Sequence, residues 1–128
     1  MGIFGRTMGQ PLKKLAVEAP PVTLEKRAFA RNMRVNGALP GKLIDYDRHE
    51  SIRAVATDVS RNGLGIMVDK VLQPGQMLTM VMSGKNLSFK VIHTYPHLTR
   101  VGHFICGLEL LDRSDNLESI FAANGCLL

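Results

Sequence analysis

From Arg34 onward the chain is a series of short apolar runs cut by turn residues, and that spacing limits the folds open to it. Runs rich in Val, Ile, Leu, Met and Thr lie at about 34–46, 51–59, 64–69, 77–83, 87–95 and 101–111. Runs of this kind, bounded by turn residues, read as strands. Asp45-Tyr46-Asp47-Arg48-His49-Glu50 reads as a polar hairpin loop. Arg61-Asn62-Gly63 holds an Asn-Gly pair, a strong tight-turn signal. Gln73-Pro74-Gly75 and Ser83-Gly84-Lys85-Asn86 are further turns. Six short strands at close spacing predict an all-β chain, a small antiparallel barrel or sandwich. The end differs. Ser114-Asp115-Asn116 offers helix caps, Leu117, Ile120 and Phe121 recur at helical spacing, and Asn124-Gly125 stops the pattern. A short C-terminal helix is expected there.

The 128 residues amount to one domain, long enough to bury a core without staples. Two cysteines, Cys106 and Cys126, are too few for a disulfide framework, and no four-ligand Cys/His zinc spacing is present. No apolar run approaches the roughly 20 residues of a membrane helix. The N-terminus has no long apolar stretch of the secretory kind. Met1-Gly2 suits myristoylation, but Arg6 stands where Ser or Thr is wanted. These features together predict a cytoplasmic protein without a membrane span.

Charge is unevenly placed. Residues 1–34 hold Arg6, Lys13, Lys14, Lys26, Arg27, Arg31 and Arg34 against Glu18 and Glu25, a balance of 7 − 2 = +5. The rest holds nine Lys/Arg and nine Asp/Glu, so the formal net charge of +5 lies in the first quarter of the chain. A neutral body with a basic end suits an anionic partner, or is a solubilising tail. Within residues 1–24, Gly2, Gly5, Gly9, Pro11, Pro20 and Pro21 disfavour regular structure, so this stretch is expected to be a flexible arm. Residues 25–128 form the expected domain, with 25–34 carrying the arginines into it.

Two clusters carry chemistry. Arg27 and Arg31 are four apart, in Arg27-Ala-Phe-Ala-Arg31. They share a side in a helical turn or in extended chain, so two guanidiniums can converge on one ligand. Guanidinium forks suit phosphate and the O6/N7 edge of guanine. A solvated surface pair is the plainer reading. The second cluster is Asp58-Val-Ser60-Arg61-Asn62-Gly63. Asp58 and Ser60 face the same side of a strand. A carboxylate can accept from a guanine N1–H and exocyclic amine together, with a serine hydroxyl beside it as donor or acceptor. Gly63 permits a positive φ or a close backbone approach to a ligand. The competing reading is a plain hairpin, with Asp58 and Ser60 bonding the turn backbone.

Together, R-x-x-x-R at the entrance to a small β-barrel and D-x-S-x-x-G at its second hairpin resemble the PilZ domain family, over about residues 25–123. Val101-Gly102-His103-Phe104-Ile105-Cys106-Gly107-Leu108-Glu109-Leu110 looks like that family's closing strand, with Gly107 and Leu110 at its glycine and apolar positions. Asn62 stands where many members have a second glycine, and Leu110 where an aromatic is frequent. The resemblance implies a six-stranded antiparallel barrel with a C-terminal helix. It also implies a bacterial, non-enzymatic receptor for the second messenger cyclic di-GMP. Arg27 and Arg31 then match the arginines that grip phosphate and guanine. Asp58, Ser60 and Gly63 match the residues that read a guanine and shape the pocket. Lys26, a cation but not an arginine, takes the position that bears on whether one ligand or two stacked ligands bind. Family outputs are motility, exopolysaccharide production and adhesion. Binding is expected to order the N-terminal segment and so change the surface offered to a protein effector.

Two other readings compete. A general nucleic-acid-binding barrel would use the basic arm, but two Tyr and no Trp leave few stacking platforms. A PilZ-like adaptor without ligand binding is opposed by the intact motifs. No acid, base or nucleophile constellation points to an enzyme, and no cofactor or metal is expected. His49, His93, His97 and His103 are scattered and read as loop or barrel-surface residues. Cys106 reads as core, and the methionines, Met77, Met80 and Met82 among them, as packing.

Overall fold

The structure is a computed structural model and describes residues 33–128. The expected arm over 1–24 and the candidate ligands Lys26, Arg27 and Arg31 lie outside the described residues.

The described chain is mostly β. It contains β1 (Lys42–Asp45), β2 (Glu50–Ile52), β3 (Ala54–Val59), β4 (Gly63–Val68), β5 (Met77–Met82), β6 (Lys85–Pro96) and β7 (Phe104–Leu110). A helix, α1 (Leu117–Ala123), follows. The seven strands form one antiparallel sheet in the order β2-β1-β5-β6-β7-β4-β3. Its edge strands, β2 and β3, are consecutive in the chain and separated by Arg53 alone. A sheet whose two edges belong to neighbouring residues must curl. The curl follows from the right-handed twist that strands share.

The strand count differs from the sequence expectation by one. The run 51–59 was expected as one strand, but it divides at the exposed Arg53 and pairs with β1 on one side and β4 on the other. The run 34–46 is also shorter than expected. Gly37, with φ of +97°, and Pro40, which has no backbone donor, interrupt it. Among the described residues, only isolated bridges, Met33 to Val59 and Val35 to Leu127, precede β1.

Alternation explains the core. Leu64, Ile66 and Val68 on β4, Leu87, Phe89 and Val91 on β6, and Cys106, Leu108 and Leu110 on β7 point inward. The helix adds Leu117 and Phe121 to the same cluster. A helix of seven residues is marginal alone, so packing and caps must hold it. Asn116 caps its start by accepting from the backbone of Glu118 and Ser119, at 3.0 and 3.3 Å. Gly125, with φ of +70°, turns the chain out of it. Met80 is buried as expected of a packing methionine, whereas Met77 is exposed.

One charged side chain is enclosed. Asp45, at the end of β1, is fully buried. Its Oδ2 accepts from Gln76 Nε2 at 2.5 Å, and its Oδ1 accepts from the Arg48 backbone at 3.1 Å. Arg48 Nε lies 3.6 Å from Oδ2. Gln76 in turn accepts from the backbone of Gln73 at 2.9 Å, so one carboxylate ties the β1–β2 loop to the turn before β5. Gln76→Ala removes a donor to a buried charge and should cost about 1.5–3 kcal/mol. Urea denaturation of the wild type and variant measures it. A midpoint that does not move would show that water replaces the glutamine.

Candidate functional site

A cleft of about 350 Å³ opens on the outer face of the sheet, across β3, β4, β7 and β6. Ligand sites commonly fall in this size range. Asp58, Ser60 and Gly63, the three described candidates from the sequence, all line it.

Register creates the cleft. Asp58 on β3 pairs with Gly65 on β4, Gly65 pairs with Gly107 on β7, and Gly107 pairs with His93 on β6. The row therefore reads Asp58, Gly65, Gly107, His93 straight across four strands. The central pair has no side chains, and the outer pair leans over it. A Cβ on Gly65 would overlap the Asp58 carboxylate and meet Thr57 Oγ1 at 2.6 Å. A Cβ on Gly107 would overlap the His93 ring, with Cε1 at 2.6 Å. Directly opposed Cβ positions on neighbouring strands are roughly 5 Å apart. The carboxylate and the imidazole thus lie over adjacent glycines whose Cβ positions would be roughly 5 Å apart.

Two β-bulges aim these side chains. The β3–β4 register shifts between Ala56 and Asp58, and the β6–β7 register shifts between Val91 and His93. On β3 the inward residues are Ala56 and then Val59, so Thr57 and Asp58 both face outward. On β6 the inward run ends at Val91, and Ile92 and His93 are both exposed. A bulge adds one residue to a strand and re-aims its neighbours, a device common beside binding sites.

The 60–63 turn shapes one end. Ser60 Oγ accepts from the Gly63 backbone N–H at 3.1 Å, and Ser60 N donates to the Gly63 carbonyl at 2.9 Å. Ser60 therefore does the turn-holding work of the plain hairpin reading while also lining the cleft. Asp58 is directed over Gly65 and accepts from Thr57 Oγ1 at 3.3 Å. Neither Asn62 nor Gly63 has a positive φ, so conformational freedom is not what Gly63 supplies. Its bare Cα matters by proximity instead. A Cβ would lie 3.1 Å from Ser60 Oγ. The turn is also anchored from below, by Leu110 N donating to the Asn62 carbonyl at 2.8 Å and Leu117 N to that of Arg61 at 2.9 Å.

His93, expected as a loop or barrel-surface residue, is exposed on β6, and there it also forms a wall of the cleft. Its placement depends on a bulge and on pairing with Gly107, neither of which a local pattern reveals. Gly65 and Gly107, glycines inside strand runs, were the available signal, because such glycines mark bulges or close approaches. Cys106 lies beneath the floor, buried as expected, and burial raises its thiol pKa above the usual 9.0 despite the Thr94 hydroxyl beside it. The thiol stays protonated at neutral pH. Among the described residues, no cluster of three or more His, Cys, Asp or Glu is arranged to hold a metal ion, and no helix is long and apolar enough to cross a membrane. No known protein family, curated protein or solved structure matches this chain.

Proposed function

We propose that the chain is a PilZ-like receptor for cyclic di-GMP that relays the level of this second messenger to a protein effector. The observation that carries the reading is the meeting of Asp58, Ser60 and Gly63 in one outer-face cleft. Their spacing alone was compatible with a plain turn. A second observation supports it. Met33, two residues after Arg31, pairs with Val59, the residue after Asp58, through bonds of 2.6 and 3.2 Å. Met33 thus lies beside the D-x-S-x-x-G motif, and in sequence it closely follows R-x-x-x-R. A curled antiparallel sheet followed by a C-terminal helix agrees in outline with the six-stranded barrel and helix that the resemblance implies, with one strand more.

In this reading Asp58 accepts from the N1–H and amine of a guanine, while Arg27 and Arg31 bind phosphate and guanine. Lys26 adds a cation at the motif's entrance. The ligand's two phosphates offset the repulsion among Lys26, Arg27, Arg31 and Arg34, and residues 25–34 order around it.

Calorimetric titration with cyclic di-GMP tests the claim, with GTP and a short oligonucleotide as controls. The expected result is a micromolar or tighter dissociation constant, about −8 kcal/mol or better. Absence of heat from folded protein would overturn the reading. Amide exchange tests the relay. Residues 25–34 should gain protection on binding while the strands change little. Equal protection in both states would leave binding intact and remove the ordering step.

A further inference from the structure

We propose that His93 is the second side chain that reads the base in this cleft, its Nε2–H donating to guanine O6 while Asp58 holds the N1–H and amine. This rests on the guanine-nucleotide reading above and assigns a role to a residue outside both sequence motifs.

The argument begins with the edge of the base. A guanine presents its exocyclic amine, N1–H and O6 side by side. A carboxylate satisfies the two donors but cannot serve O6, and an acceptor enclosed without a donor is destabilising. O6 has two lone pairs: an arginine fork on the O6/N7 edge can take one, and the other, beside N1–H, needs an N–H donor a few ångströms from the carboxylate, on the same face. His93 meets that requirement. The Gly65–Gly107 pairing sets its Nε2 and the Asp58 carboxylate over adjacent glycines, whose Cβ positions would be roughly 5 Å apart. An imidazole carries an N–H in either protonation state.

Core packing does not explain this position, because His93 is exposed. The bulge after Val91 turns it outward. Gly107 lets the ring lie down across the sheet, where any Cβ would push it away. Tyr95, two residues along the strand, packs against it, with ring centroids 4.9 Å apart and planes tilted by 33°. Adenine carries an amine where guanine has O6, so Nε2–H would meet a donor. His93 is thus a selectivity element as well as a source of affinity.

The test compares the wild type, His93→Ala and His93→Gln in titrations with cyclic di-GMP, cyclic di-AMP and cyclic di-IMP. The inosine ligand keeps O6 and lacks only the amine. His93→Ala should weaken cyclic di-GMP about tenfold and narrow the preference over cyclic di-AMP. His93→Gln, which retains an amide donor, should recover part of both. Cyclic di-IMP should bind the wild type less well through loss of the Asp58 contact. It should still lose about tenfold on His93→Ala, because its O6 is unchanged. Equal melting temperatures confirm that folding is unaffected. If the wild type binds cyclic di-GMP and His93→Ala matches it in affinity and selectivity, His93 has no such role and the receptor reading stands. If the wild type does not bind, both fall.

Discussion

Arg27→Ala and Arg31→Ala are each expected to weaken cyclic di-GMP binding roughly 10- to 150-fold, or about 1.5–3 kcal/mol. The ligand carries two phosphates, and each guanidinium offers a planar fork of donors to such a group. Charge-assisted bonds of this kind are stronger than neutral ones, and a lysine cannot reproduce the fork. Arg27→Lys and Arg31→Lys should therefore recover only part of the loss. Asp58→Ala should cost a similar amount but act differently. It removes the acceptor for the guanine donors, so selectivity over cyclic di-AMP should fall with affinity. Added salt separates the two roles. The arginine contribution should shrink as ionic strength rises, while the base selectivity set by Asp58 should persist. Asp58 lies on the outer face of the sheet, and its replacement should leave the melting temperature within a few degrees of wild type. An Asp58→Ala protein that keeps full preference for cyclic di-GMP would remove Asp58 from base recognition. Arginine variants with unchanged affinity would remove the first motif from the site.

The parts of the molecule that were legible in the sequence are those fixed by local rules. Hydrophobic alternation located the strands from Ala54 to Leu110, because one face of each had to be buried. Turn chemistry located the loop at 45–50 and the turn at 83–86, which pairing narrows to Tyr46–His49 and Ser83-Gly84. The caps at Asn116 and Asn124, with Gly125 turning the chain after the latter, set the limits of the helix. What local patterns did not carry shares a cause. Arg53 divides a strand because the sheet curls until one run must serve both edges, and no local pattern encodes that. His93 joins the cleft through register, which is a property of four strands taken together. Asp58 and Ser60 were found by spacing, but spacing could not separate a turn from a site. The burial sequence on β3, inward at Ala56 and then at Val59, reveals the bulge that turns Asp58 outward. Lys26, Arg27 and Arg31 rest on the motif alone.

Two glycine substitutions distinguish what holds the fold from what shapes the cleft. Gly41 precedes β1, and a Cβ there would overlap the Val81 carbonyl oxygen, with Val81 C at 2.9 Å and Met82 Cγ at 2.7 Å. A carbonyl on the neighbouring strand cannot rotate away, so β1 and β5 must separate locally. Gly41→Ala should destabilise the protein by about 3 kcal/mol, at the upper end for overpacking. A urea midpoint that falls with an unchanged slope would report it. Gly65→Ala meets different neighbours, the ends of the Asp58 and Thr57 side chains. These can rotate outward, and alanine is favoured over glycine within a strand by roughly 0.5–1 kcal/mol. Stability should therefore change by less than about 1 kcal/mol. The displaced carboxylate, however, no longer lies over the row opposite His93. Binding of cyclic di-GMP should fall at least tenfold, close to the loss for Asp58→Ala. The two losses should not add in Gly65→Ala/Asp58→Ala, since both remove one contact. A Gly65→Ala protein that binds as tightly as wild type would mean that Asp58 does not act from its position over Gly65, and the geometry assigned to base recognition would be wrong.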